Sequence, residues 1–355
     1  GAYNFGDPKR KGLRMSLDLP PPDPGLTARI RQAIDSKTKP LGALGRIEAL
    51  AAQIAALQGT VAPRLETCTL TIFAADHGIA AEGVSAFPPE VTRQMVGNFL
   101  AGGAAASVFA RTLEVGLQVV DAGVAGEVPD LPGLIRRPLG AGTANSAQGP
   151  AMTAAQYQQG LAIGVEIARA TPGEALAFGE MGIANTSAAS LVAHKLTGLP
   201  IDQLTGRGTG LDDQGLAHKR AVLARAAART PARLEPDRAA QEYGGFEIVM
   251  MAGAMAAAAA DRRLVLVDGF IATSAAALVL ARAPDLRPAM VFCHRSAESG
   301  HRGLLAHLGA EPILDLDMRL GEGTGALLAW PILRAAARML TDMASFAEAG
   351  VSERD

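Results

Sequence analysis

Short apolar runs that end in acidic, histidine or glycine residues recur along this chain, and that pattern restricts the folds open to it more than any other feature. The runs are 68–74 (CTLTIFA), 117–121 (LQVVD), 175–179 (ALAFG), 264–268 (LVLVD), 289–293 (AMVFC) and 313–316 (ILDL), separated by long alanine-rich stretches of helical character. Such an alternation predicts an α/β fold, a parallel sheet covered by helices. The runs pass into Asp76-His77-Gly78, Asp121-Ala122-Gly123, Gly179-Glu180-Met181-Gly182 and Asp268-Gly269. Polar chemistry therefore gathers at the strand carboxyl ends, where open α/β sheets bind their ligands.

Ahead of the first run, Pro20-Pro21-Pro22-Asp23-Pro24-Gly25 is a stiff lead-in to helical patterns at about 26–36 and 41–58, and about 325–346 reads as a long apolar helix. The two ends are expected to pack together as a small helical domain, 15–62 plus 327–355, beside a sheet domain at 63–326. Residues 1–14 are polar and basic, lack a hydrophobic signal core and precede Met15, so they are set aside as an expression remnant.

The chain has 355 residues, enough for two domains or one large domain with an appendage. Its 49% hydrophobic and 19% charged content excludes a disordered chain. With 33 basic against 35 acidic side chains it has no bulk positive field to collect nucleic acid or anionic membrane. Any anion must be held locally. Cys68 and Cys293 form neither a disulfide framework nor a zinc knuckle, which points to a reducing cytoplasm. The longest apolar run, Ile248 to Ala260, is shorter than the roughly 18 residues of a membrane span and reads as a buried helix. The chain shows no internal repeat, and its alanines suit close helix packing.

Three glycine-rich segments carry the candidate chemistry. TGRGTGLDD at 205–213 can turn backbone N–H groups of Gly208 and Gly210 toward an anion, with Lys219 on the helix that follows. It has neither dinucleotide nor P-loop spacing, and an ordinary turn is the commoner outcome for such a cluster. GEMGIANTS at 179–187 places Glu180 at a strand end and Asn185 at a helix start, either an anion cradle with an acidic lip or a capped strand–turn–helix junction. LGEGTG at 320–325 flanks Glu322 with glycines, leaving room for a flat ligand beside the carboxylate, although most lone glutamates are solvated loop residues. No HExxH or histidine-rich spacing defines a metal site, and His77 reads as a structural hydrogen-bonder. Ser296 lacks a GxSxG elbow; its hydroxyl reads as a hydrogen-bond donor to phosphate, or the residue as a turn or helix cap.

Taken in order, KPLGALGRIE (39–48), AADHGIAAEGVSAFPPEVTRQM (74–95), GEMGIANTSAAS (179–190), LTGRGTGLDDQGLAHK (204–219), the EYGGFEI stretch at 242–248, LVDGFIATSAA (266–276), HRSAESGH (294–301) and LDLDMRLGEGTGA (314–326) resemble the nicotinate-nucleotide–dimethylbenzimidazole phosphoribosyltransferases. The resemblance implies a Rossmann-like parallel sheet flanked by helices, with a small helical domain from both chain ends, and a homodimer. It implies transfer of phosphoribose from nicotinate mononucleotide to 5,6-dimethylbenzimidazole, with inversion at C1′, giving nicotinate and the α-ribazole 5′-phosphate of cobalamin biosynthesis. By the same resemblance Glu322 is the catalytic base and Glu180 shares its site. Gly182, Lys219 and Ser296 contact phosphate, joined from the residue reading by Asn185, Gly208 and Gly210. Phe87, Gln94, Met95 and Leu320 form the benzimidazole pocket. Ala184 departs from the family, which often has glycine there, and its β-carbon restricts φ.

The chemistry suits these residues. Nicotinate leaves from a pyridinium as a neutral ring nitrogen and needs no acid, whereas the entering benzimidazole must lose a proton, so one base is enough. An ionised Glu180 would stabilise the oxocarbenium character of the sugar. No metal or redox cofactor is required. Two other readings stay open on the residues: a Rossmann oxidoreductase, disfavoured by the lack of GxGxxG after the first run, and a non-catalytic nucleotide-sensing module.

Overall fold

The structure, a computed structural model, describes residues 3–4, 14–15, 19–21 and 23–352. Tyr3–Asn4 (β1) and Arg14–Met15 (β2) form an antiparallel ladder; the rest of segment 1–14 lies outside the described residues. Six parallel strands build the main sheet: β3 (Cys68–Ala75), β4 (Gly116–Gly123), β5 (Leu134–Arg136), β6 (Ala175–Met181), β7 (Leu264–Val267) and β8 (Met290–Phe292). Their order is β5-β4-β3-β6-β7-β8. Counted within the sheet this is the Rossmann order, and its switch point falls between β3 and β6.

Five of the six apolar runs are strands, and β3 and β7 are buried along their whole length, as strands covered on both faces must be. The run 313–316 is not a strand. It makes one parallel bridge, Leu314 to His294, and Asp317 at φ 55° then turns the chain away. The sixth strand is β5, an unanticipated three-residue edge beside β4, too short for alternation to mark it.

Helix starts follow local chemistry. Asp23 accepts a hydrogen bond from Leu26 N–H, with Pro24 in the first turn of Pro24–Asp35, and Thr153 with Gln156 forms a capping box for Ala154–Ala170. The pattern read at 41–58 becomes helical only at Arg46, because Gly42 and Gly45 hold φ of 70° and 52°. The apolar run at 248–260 lies in the buried helix Phe246–Ala260, which touches β3, β4, β6 and β7 and packs along Ala154–Ala170. Pro24–Asp35, Arg46–Gln58 and Thr324–Asp342 pack against one another, and the last also touches β6. Among the described residues no helix is long and apolar enough to cross a membrane.

Candidate active site

The acidic residues at the strand ends divide into two kinds. Asp121 accepts hydrogen bonds from Gly123 and Val124 N–H, and Asp76 from Ala125 N–H at 2.7 Å. Asp268, after β7, accepts from Gly323 N–H at 3.1 Å and Ala326 N–H at 3.0 Å, capping Thr324–Asp342 from across the sheet. These aspartates hold backbone in place. Of the two glutamates, Glu180 takes a side-chain hydrogen bond and Glu322 a single backbone N–H.

Glu180 is the penultimate residue of β6, at the switch point, and is 6% exposed. Asn185 Nδ2 donates to it. Burial raises its pKa to about 8 against the Asn185 hydrogen bond, with Asp268, Glu247 and Glu322 adding like charge. Glu322 is 5% exposed, is hydrogen-bonded by Ala106 N–H, and leaves its Oε2 without a partner. Burial raises it to about 7, with the Asp268 charge adding to the effect.

Glycine brings the two turns together. A β-carbon at Gly179 would sit 2.5 Å from the Glu322 carbonyl carbon, and one at Gly321 would collide with Glu180 Oε1. Gly321, Glu322 and Gly323 have φ of 81°, 63° and 82°, so Glu322 occupies the left-handed region, at a cost of roughly 1–2 kcal/mol for an L-residue with a side chain.

Glu180 opens onto a crevice of about 230 Å³ at the carboxyl end of the sheet. One end of it is cationic. Lys219, almost fully buried, donates to Thr186 Oγ1 at 2.7 Å, and Arg319 donates to Gly208 O at 3.1 Å. Burial lowers the Lys219 pKa to about 8, opposed by the Glu298 charge. Gly182 to Thr186 line the same end and lead into the helix Asn185–Thr197, whose uncapped N-terminus favours an anion. Ser296 closes it. Its N–H donates to His301 Nδ1 at 2.8 Å, while His301 Nε2 meets Thr273 Oγ1 at 2.9 Å, a network that fixes a neutral imidazole, with burial and the nearby His294 lowering its pKa to about 3. At the mouth stand Phe87 and Leu320, 50% and 57% exposed.

Residues 19–351 of the chain match a family model described as phosphoribosyltransferase. The chain is 54% identical over 343 residues to a nicotinate-nucleotide–dimethylbenzimidazole phosphoribosyltransferase of Aromatoleum aromaticum, covering 96% of this chain and all of that one. It is 53% identical over 333 residues to the enzyme of that name from Variovorax paradoxus, covering 94% of this chain and 95% of that one. A crystal structure of the nicotinate-nucleotide–dimethylbenzimidazole phosphoribosyltransferase from Thermus thermophilus superposes with a TM-score of 0.89 at 48% identity, over 94% of this chain and all of that one. The chain belongs to this phosphoribosyltransferase family.

Of the residues read from the sequence, this phosphoribosyltransferase brings Glu180, Gly182, Asn185, Gly208, Lys219, Ser296, Phe87 and Leu320 to one crevice. Glu322 lies just behind its rim, next to the lining Gly321. Three further expected residues lie outside that lining. Gly210 sits in an exposed turn away from the lining, Gln94 is exposed on the helix Glu90–Ala101, and Met95 packs against the core from that helix. That helix serves the site through Thr92 instead, whose hydroxyl accepts from Ile183 N–H at 3.1 Å. Ala184 holds φ 74°, so the β-carbon does not redirect the turn; the turn absorbs it as strain. Sequence reasoning missed Asp268, Arg319 and Glu298. The only signal for Asp268 was an apolar strand ending in an acid.

Proposed function

We propose that the protein transfers phosphoribose from nicotinate mononucleotide to 5,6-dimethylbenzimidazole, with inversion at C1′, giving α-ribazole 5′-phosphate and nicotinate for cobalamin biosynthesis. The observation that carries this reading is that the Glu322 turn packs against Glu180, a β-carbon on Gly321 colliding with Glu180 Oε1, at a crevice whose far end is cationic.

Lys219, Ser296 and the N-terminus of Asn185–Thr197 take the monoester dianion, with Gly182 and Gly208 allowing close backbone approach. Phe87 and Leu320 at the mouth supply apolar surface for the benzimidazole. One benzimidazole nitrogen attacks C1′, the C1′–N bond to the pyridinium breaks, and its electron pair leaves on nicotinate. The proton on the other benzimidazole nitrogen passes to Glu322, whose free Oε2 is the acceptor. An ionised Glu180 is what would stabilise the sugar, whereas its pKa of about 8 favours the protonated form near neutrality in the nucleotide-free protein. A cationic pyridinium arriving beside it favours the carboxylate, so Glu180 ionises as the donor binds and then faces the positive sugar.

The same reading takes the protein as a cytoplasmic homodimer, divided into a small helical domain at 15–62 plus 327–355 and a sheet domain at 63–326. Sedimentation at monomer mass would remove the dimer. For the activity itself, incubation with nicotinate mononucleotide and dimethylbenzimidazole should release free nicotinate and an α-linked nucleotide by chromatography and NMR. A β-linked product, or none, would overturn the reading.

A further inference from the structure

A buried ion pair that the reaction does not use stands directly behind the Glu180 turn. His77, just past β3, meets Glu247 Oε1 through Nε2 at 2.6 Å, with the side chains 1% and 0% exposed. Glu247 lies in the first turn of Phe246–Ala260, where the helix dipole favours an anion, and its Oε2 has no hydrogen-bond partner. A β-carbon on Gly182, two residues past Glu180, would come within 3.2 Å of His77 Nε2, so the imidazole lies against the turn backbone. Buried ion pairs lose about as much to desolvation as they gain, so packing stability alone does not account for one in this place.

We propose that His77 and Glu247 are positioning residues for Glu180, bracing its turn from behind while their charge balance sets the charge state of the crevice carboxyl. The proposal rests on the reading of Glu180 given above. Glu180 is faced by Asn185 from its own turn and by Asp268, Glu322 and Glu247 from the neighbouring elements. His77 is faced by Glu247 and Asp76. Burial pulls the imidazole pKa down, but Glu247, by charge and hydrogen bond, together with Asp76 more than offsets this and raises it. Glu247 thus acts on Glu180 directly, and His77 acts through it, as the counter-charge that offsets Glu247.

The test is the carboxyl titration of Glu180 by 13C NMR in the full-length, glutamate-labelled protein, the signal being assigned by its loss in Glu180→Gln. Glu247→Gln removes a like charge and should lower the Glu180 midpoint by about one pH unit, whereas His77→Gln leaves Glu247 without its counter-charge and should raise it. Midpoints that stay put, or move in the same direction, overturn the proposal. The parent gives the reciprocal reading without touching the pair: the His77 ring signals should show an inflection at the Glu180 midpoint that Glu180→Gln removes, and its absence overturns the coupling even if a pair variant does not fold. Midpoints that move as stated while Glu180→Gln keeps parental turnover overturn the functional reading of Glu180 and support the coupling. Immobile midpoints with turnover lost overturn the coupling alone.

Discussion

Glu180 lies at the end of a regular strand, accepts a hydrogen bond from Asn185 and has an ion pair behind its turn, whereas Glu322 stands in three successive residues of positive φ with one oxygen unpartnered. Both are buried and both have raised pKa values, to about 8 and about 7. The difference lies in what holds them. Glu180 is gripped through its side chain and keeps its proton. Glu322 takes one hydrogen bond, from Ala106 N–H, while Asp268 holds the backbone beyond it at Gly323 and Ala326, so its second oxygen is left to the chemistry. A strained turn clamped by a neighbouring carboxylate is how a fold presents an acceptor without satisfying it.

The largest effect expected from breaking that contrast is on Glu322. Glu322→Gln should lower kcat by about 10²–10⁴ with little change in nucleotide affinity, measured by steady-state kinetics and titration calorimetry. Turnover within about threefold of the parent would remove Glu322 as the base. Lys219→Ala tests the cationic end rather than the acidic one. It should raise the nicotinate mononucleotide KM by roughly 10–100-fold, since a buried phosphate loses a charged donor of about 1.5–3 kcal/mol. An unchanged KM would make Lys219 only a structural partner of Thr186.

A smaller effect comes with pH. The Lys219 pKa of about 8 means that the free ammonium loses its proton above that pH. Nucleotide affinity should then weaken as pH rises, by up to about tenfold per unit, and Lys219→Ala should abolish that limb. The smallest effect is on stability. Ala184→Gly relieves a side chain at φ 74°, a strain of about 1 kcal/mol, so Tm should rise by a few degrees with turnover preserved. A fall in Tm would mean that the lost methyl packing outweighs the strain.

The sheet was legible because its strands are apolar through and through and end in polar turns. β5 was not, since Leu134–Arg136 has only three residues at an edge, and 313–316 misled because its apolar run borders β8 with a single bridge. Glu180 and Glu322 stood out through their glycine neighbours, and the structure assigns those glycines a steric job at Gly179 and Gly321. Asp268 showed only as an acid ending an apolar run, and Arg319 and Glu298 not at all, because their roles depend on backbone groups far away in sequence. Gln94 and Met95 lie outside the crevice lining, while Thr92 of the same helix meets the Ile183 turn, a contact that no sequence pattern marks.

The central claim is that Glu322 takes the proton released by the incoming benzimidazole. Its most direct test is the pH dependence of kcat/KM for dimethylbenzimidazole in the parent and in Glu322→Gln. In the parent the rate should climb about tenfold per pH unit and level off near the Glu322 pKa of about 7, and in the variant that climb should be gone. A climb through the same pH that survives in Glu322→Gln would contradict the account.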